Sequence, residues 1–401
     1  MITGRFALPI SAGSAPEPPP STEGHKVTYY DPFGDVIKIQ YVLDGMDATP
    51  PTPPTFDLLT FAEWNNPSTG ITRDEDIGAI YNTTDGKTYV FATFNPVIGF
   101  QPTVFLNKST TDLLTIDWGD GTTTTSTATG NVSLIKPTLY ASEDNYVITI
   151  ECAGLYRISG SSRIFGTSTY NSAPYKIYIG ENVNILNNST FQSHKQLKYL
   201  TIPSSLTGSI TANLFYQCFS LNHCSFPTSM NGFIYANCFN SCYALQSVSF
   251  PFTLISGIQE AIFANAFSIR SIVFPKNLTT GSAFNTSLFV NCTSLLKLDP
   301  PTGLINVLRA SAFSGMRSLR SLFIPIGINQ LDSNSLSNNT AMEEYIFQST
   351  IPPTMVNTSA FNAIPLSCKI YVPDASVTDY KTATNWAIYA DYIYPISTRP
   401  I

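Results

Sequence analysis

FQSHKQLKYLTIP (residues 191–203), FYQCFSLNHCSFP (215–227), FNSCYALQSVSFP (239–251) and FANAFSIRSIVFP (263–275) repeat one pattern. It continues as FVNCTSLLKLDPP (289–301), FSGMRSLRSLFIP (313–325) and a degenerate LSNNTAMEEYIFQ (336–348). From Phe191 to Leu336 the leading residues are spaced by 24, 24, 24, 26, 24 and 23. A fixed period in the twenties marks a solenoid, in which each unit buries its apolar face only against its neighbours. Within a unit, Leu200 and Ile202 alternate as a short strand requires, and Pro203 ends the strand because it cannot donate to a ladder. Seven such strands side by side would make a parallel sheet extending roughly 35 Å.

The bulk composition limits the partners. Charged residues make up 12% of the 401, with 21 Lys+Arg against 27 Asp+Glu, and no segment concentrates Lys or Arg. Nucleic acid and anionic membrane are therefore not expected partners. No stretch approaches the ~20 apolar residues that span a bilayer. The seven cysteines include Cys218, Cys224, Cys238 and Cys242 near His223, a grouping that suggests zinc until the repeat is aligned. Cys218, Cys242 and Cys292 then share a column with His194, Ala266 and Met316, while Cys224 and Cys238 fall in columns of Leu, Ile and Val. Buried thiols behave as small hydrophobes, so these read as core, and neither metal nor cofactor is expected.

Two β-rich units precede the repeat. The chain opens with a proline-rich tether over 1–24. Residues 25–82 carry runs Val27–Tyr30 and Val36–Val42 around an Asp31-Pro32-Phe33-Gly34 turn, then Phe61, Glu63 and Trp64, and close at Ile77–Tyr81. This pattern resembles the internalin B-type (Listeria–Bacteroides) repeat, with Glu63 standing where that family usually has Gly. Residues 87–154 contain Asp117-Trp118-Gly119-Asp120-Gly121 between alternating strands, and resemble the PKD domain, an immunoglobulin-like sandwich. Asp117 and Asp120 read as turn residues that bond nearby backbone N–H groups. The F-x-x-C-x-x-L units, with Ile370, Tyr380, Trp386 and Tyr389 at the end, resemble the BspA-type leucine-rich repeat. That resemblance spans 155–372 plus a cap at 373–401, and at Leu336, Met342 and Gln348 the solenoid is expected to bend or loosen. The implied fold class is mainly β: a small β module, a sandwich and a leucine-rich-repeat solenoid.

The candidate site is the outward strand face, where solenoids usually bind. Its columns supply Tyr199, His223, Ser247, Ser271, Lys297 and Ser321, and beside them Thr201, Ser225, Ser249, Asp299 and Phe323. Tyr199 and Phe323 are the aromatic contacts available to a glycan or protein ligand. No catalytic residue is proposed: the histidines are His25, His194 and His223 alone, and no nucleophile or metalloprotease motif occurs. The modules resemble parts of surface adhesins, yet the start at Met1 lacks the apolar core of a secretory signal. The expectation is a non-enzymatic phage virion fibre, spike or decoration protein. It would join other virion proteins through its N-terminal segment, form a possible homotrimer, and bind a host glycan or protein. A bacterial cell-surface adhesin is the alternative.

Overall fold

The computed structural model describes residues 24–94, 101–158, 174–275, 278, 285–299 and 306–400. The expected tether lies, apart from Gly24, outside them. Strands β1 (His25–Tyr30), β2 (Val36–Val42), β3 (Leu59–Trp64) and β4 (Glu75–Thr83) form one sheet in the order β2-β1-β4-β3. The β1/β4 pair is parallel, and alternation gives it two unlike faces. Val27, Tyr29 and Ile77 point into the module's own core with Val42, Ala48 and Ile71. The other face carries Thr28, Tyr30, Asp76 and Gly78, as their pairing requires.

Next come β5 (Thr88–Phe94), β6 (Thr103–Lys108), β7 (Leu114–Asp117), β8 (Thr123–Ser126), β9 (Gly130–Ile135) and β10 (Asp144–Cys152). β5, β10, β7 and β8 form one layer and β6 with β9 the other, closed on Trp118, Ile116, Ile148, Val104 and Leu106. Asp117 accepts the Gly119 N–H at 2.9 Å and Asp120 the Thr122 N–H at 3.1 Å, so both carboxylates shape the turn. Asp120 also meets the fully buried Lys136 ammonium at 2.6 Å. Burial opposes the Asp120 carboxylate, but its bonds from Lys136 and Thr122 win and hold its pKa low.

The sequence places a boundary at 154/155; the structure has no break there. β11 (Tyr156–Ile158) pairs antiparallel with β6 and parallel with β13 (Val183–Leu186). β12 (Pro174–Tyr178) pairs antiparallel with β5 and parallel with β14 (Tyr199–Thr201), the first full repeat strand. Both layers of the sandwich thus continue into the solenoid, and one core runs from Val90 to Ile393. The buried Thr88 hydroxyl fixes the junction: it meets the Tyr156 hydroxyl at 2.8 Å and accepts the Gly180 N–H at 2.9 Å.

Each coil of the solenoid has three sides. The first is the expected strand, from Tyr199–Thr201 through His223–Ser225, Ser247–Ser249, Ser271–Val273, Lys297–Asp299, Ser321–Ile324 and Glu344–Phe347 to Lys369–Val372. The second, not anticipated, carries two shorter parallel sheets, Gly208–Ile210 with Met230–Ile234, and Asn306–Leu308 with Ile328–Leu331 and Thr354–Met355. Its signal was present in the apolar column Leu206, Met230, Leu254, Leu278 and Ile328, all buried. The third side is a turn carrying the phenylalanines, which stack face to face from Phe191 to Phe313 with centroids 5.3–5.7 Å apart. This turn is held open by two left-handed residues per coil. They lie two positions before and two after the phenylalanine, as in Asn213 and Gln217 or Asn237 and Ser241. Asn adopts positive φ more readily than most residues, which accounts for its abundance there.

The cysteines sit in this core. Cys218, Cys242 and Cys292 each donate to a phenylalanine carbonyl of an earlier coil, at 2.9, 3.1 and 3.1 Å. Burial pushes the Cys218-column partners Cys242 and Cys292 and the neighbouring Cys224 and Cys238 well above the ordinary thiol range. At the degenerate seventh coil the solenoid does not loosen. Ser321–Ile324, Glu344–Phe347 and Lys369–Val372 stay paired in register. Asn339 stands in the cysteine column and donates to Phe313 O at 2.9 Å, as the thiols do. Tyr345, in the leucine column, fills the volume that Leu336 leaves and bonds Asn339 and Leu336 through its hydroxyl. The far end is closed by a short helix, Val377–Thr382, and by Trp386, whose Nε1 donates to Pro353 O at 2.7 Å. Among the described residues no helix is long and apolar enough to cross a membrane.

Candidate functional site

Most of the outward face carries the chain's own N-terminal module. β4 lies across strands 199–201, 223–225 and 247–249. Thr201, His223, Ser225, Ser247 and Ser249 are consequently 0–6% exposed. The expectation that this Ser-rich centre faces solvent is thereby corrected. Small side chains are what let a second backbone approach. Gly78 shows how closely: a Cβ there would stand 2.1 Å from Ser225 Oγ and 2.7 Å from Ser225 Cβ.

The contact is polar, and Asn65 within it is fully bonded. Asn65 is completely buried. Its amide donates to Phe226 O at 3.1 Å and Ser249 O at 3.0 Å. Its oxygen accepts the Gly78 N–H at 2.8 Å and the Ser249 hydroxyl at 3.0 Å. That is all four bonds an amide side chain can make. Asn66 adds a bond to Phe250 O at 2.8 Å, and Arg73 one to Phe274 O at 2.7 Å. Glu63, the residue that departs from the internalin-type pattern, accepts both the Thr228 N–H and the Thr228 hydroxyl, at 2.9 and 2.7 Å.

His223 lies under the module with Nδ1 2.7 Å from Ser247 Oγ and Nε2 2.8 Å from Ser225 Oγ. Tyr30 stacks on its ring at 5.2 Å. Burial lowers its pKa to about 3, so the imidazole is neutral near pH 7, with one nitrogen donating and the other accepting. Tyr199 meets Phe33 edge to face at 5.4 Å and is half-buried. Lys297 remains largely exposed while its ammonium pairs with Asp74 at 2.6 Å. Ser271 is partly exposed, and Asp299 is placed by its strand pairing with Val273. Only toward the distal end does the face open: Ser321 is exposed and Phe323 is 37% exposed. Beyond it, Glu344 is held by the Arg399 guanidinium at 2.8 and 2.7 Å, which keeps its carboxyl below the usual range.

The repeat architecture finds its counterpart among known families. The BspA type leucine rich repeat region matches in six copies over residues 164–287 and 280–384, more than half of the chain. The chain belongs to this BspA-type leucine-rich repeat family. No curated protein matches it. Among solved structures, a leucine-rich repeat protein from Bacteroides ovatus is similar at 17% identity, covering 59% of this chain and 70% of that one, with a TM-score of 0.34. A T. pallidum leucine-rich repeat protein is similar at 18% identity, covering 53% and 83%, with a TM-score of 0.35. A leucine-rich cell surface protein from Faecalibacterium prausnitzii is similar at 16% identity, covering 56% and 83%, with a TM-score of 0.27.

On the turn side of the BspA-type solenoid, Phe219, Tyr243 and Phe267 form a second, outer ladder with centroids 4.6 and 5.0 Å apart. In the sequence this column lies directly after that of the cysteines. Its rings stack on one another and leave chiefly their edges to solvent, which suits rigidity better than stacking on a sugar.

Asn65→Leu tests the covered interface. The substitution leaves the Phe226 carbonyl and the Gly78 N–H without the Asn65 amide, each worth about 1–3 kcal/mol, and leaves Ser249 O with only its bond from the Phe226 N–H. The expected outcome is a module that unfolds or detaches in a separate, earlier transition, read by calorimetry, while the solenoid transition stays in place.

Proposed function

We propose that this BspA-type protein is a non-enzymatic adhesion protein displayed on a surface. Its ligand, a host glycan or a protein, is met at the open distal end of the sheet face. The observation that carries this reading is the module over Thr201–Ser249, which leaves Ser321 and Phe323, with Lys297 at the margin, as the accessible part of the expected site. Phe323 offers an aromatic ring, with hydroxyl and charged groups beside it. Such a mixture suits sugar or peptide recognition. The chain's internalin-type and PKD-like resemblances fit the same reading as spacer units.

Binding of the full chain to glycan and matrix-protein arrays tests this. Phe323→Ala should weaken any hit about tenfold, the order expected for loss of one aromatic anchor. Its exposure predicts an unchanged melting temperature. Undiminished binding by that variant would move the site off this face.

Two carriers fit: a phage virion, with the N-terminal segment joined to other virion proteins and a possible homotrimer, and a bacterial cell surface. Particle purification distinguishes them. Co-purification with virions supports the first, and surface labelling on uninfected cells the second.

A further inference from the structure

We propose that two copies of this chain pair through β2, the open edge of the N-terminal module, as antiparallel strands centred on Gln40. The inference does not depend on which ligand the protein takes.

β2 is the outermost strand of the module sheet and pairs with β1 alone. Among the described residues, no backbone hydrogen bond joins Val36–Val42 to any segment but β1. The outward N–H and C=O groups of such an edge are a template for another strand, and proteins usually blunt them with proline, charge, a bulge or a cover. On β2 these devices fall short. Its bulge lies at Ile37, where the pairing shifts between Tyr29 and Tyr30, and Lys38–Val42 keep a regular register against Tyr29–His25. Its one charge, Lys38, turns its ammonium back to Thr49 O at 2.6 Å. The other side chains are mostly types that favour strands: Val36, Ile37, Ile39, Tyr41 and Val42. Val36 is 52% exposed, and Ile39 and Tyr41 are half-buried.

The regular segment is complementary to itself. Ile39 and Tyr41 share the face of Thr28 and Lys26, while Lys38, Gln40 and Val42 share that of Tyr29, Val27 and His25. A two-fold axis through Gln40 sets Ile39 opposite the partner's Tyr41 and Tyr41 opposite the partner's Ile39. These are two aromatic–β-branched pairs, the kind that stabilise neighbouring strands. Lys38 then faces the partner's Val42, so no like charges are opposed. The contact is isologous and closes at two chains, where a growing array would need a second surface.

The solenoid beneath the edge adds apolar surface. Glu63 on β3 grips Thr228, just after strand His223–Ser225, whereas Phe33 O, at the β1–β2 turn, takes the Asn222 amide just before it. β2 therefore overhangs the corner that leads into the strands. Exposed along that corner are Leu296 at 62% and Tyr243 and Phe267 at 39% each, which a second copy arriving along β2 helps to cover.

Cysteine cross-linking in the full chain tests the register. The seven native cysteines are all buried and do not compete. Residues directly opposite on antiparallel strands stand about 4.5–5.5 Å apart at Cα, within the span of a disulfide. Gln40→Cys faces its own copy and should link two chains under a mild oxidant. Val36→Cys is more exposed but lies roughly 27 Å from its copy, and should not. Ile39→Cys and Tyr41→Cys should each stay mostly unlinked alone, their copies being about 7–8 Å apart on the diagonal, and should link when mixed. Sedimentation of the unaltered chain should give about twice the mass of one chain, and Ile39→Lys, which puts a charge in the apolar patch, should return it to one with its thermal transition kept. A monomeric unaltered chain overturns the proposal. So does a dimer in which Gln40→Cys links no better than Val36→Cys and the mixture no better than its parts.

Discussion

Phe239→Ala is expected to destabilise the protein by about 3–5 kcal/mol, the range for deleting a fully buried phenylalanine. The ring is 0% exposed, with Phe215 and Phe263 stacked 5.3 and 5.6 Å on either side and Phe226 edge-on at 6.1 Å. Three features put the loss at the upper end of that range. Both neighbouring rings lose a partner, because each coil is stabilised through its contacts with the next. The surrounding backbone cannot collapse into the cavity, since the turn is tied to the next coil by the Phe239 N–H to Ile262 O and Ser241 N–H to Ala264 O bonds, at 2.9 and 2.8 Å. The thiol of Cys242 beside it is likewise anchored, to Phe215 O. Urea unfolding followed by far-UV circular dichroism measures the change. A loss under about 1.5 kcal/mol, with an unchanged denaturant slope, would show that the coils relax around the gap and that the ladder is not the main source of cohesion.

Leu336 shows why the repeat alone misjudged its weakest unit. Leucine in the phenylalanine column does leave space, as the pattern implied. Two other departures in that same unit fill it: Tyr345 supplies the ring from a leucine position, and Asn339 takes over the thiol's bond to the preceding phenylalanine carbonyl. Neither role is visible when columns are read one at a time. Together they conserve volume and hydrogen bonding, which is what a packed interior responds to.

The inner columns were legible because burial by stacking writes the same apolar residue at each period. The seam over the outward face left no such trace. It joins positions more than 150 residues apart, such as Asn65 to Phe226 and Ser249, and it is built from amides, hydroxyls and glycines that elsewhere signal turns and solvent. One clue was available. Two successive coils place only Ser225, Ser247, Ser249 and a histidine outward, a run of small residues that suits a close-packed backbone as well as it suits water. Glu63 was another, since it stood out from the pattern its module otherwise resembles and proves to grip Thr228.

The continuity between sandwich and solenoid leads to the largest expected effect. A fragment beginning at Pro174 should fail to give a folded monomer, although it retains every repeat from Phe191 onward. Removing β5 leaves β12 as an open, flat edge, and removing β6 and β11 does the same to the second sheet at β13. Such edges template pairing with other chains. Ile177, Ile179 and Val183, each 0% exposed in the full chain, would face water at the same end. Each costs about 1.5–3 kcal/mol to expose. Together with the lost strand pairing, that consumes much of the 5–15 kcal/mol by which a domain is usually stable. Removal of residues 1–83 alone makes the contrasting case, because the seam it opens is polar at its centre and its carbonyls and hydroxyls can be rehydrated. That shorter deletion should remain monomeric and unfold cooperatively, with modest loss from uncovering Tyr89 and Tyr178. Size-exclusion chromatography and thermal unfolding of the two fragments decide the matter. If the fragment from Pro174 is monomeric and melts cooperatively, the solenoid caps itself, and the sandwich is a neighbour rather than its first coil.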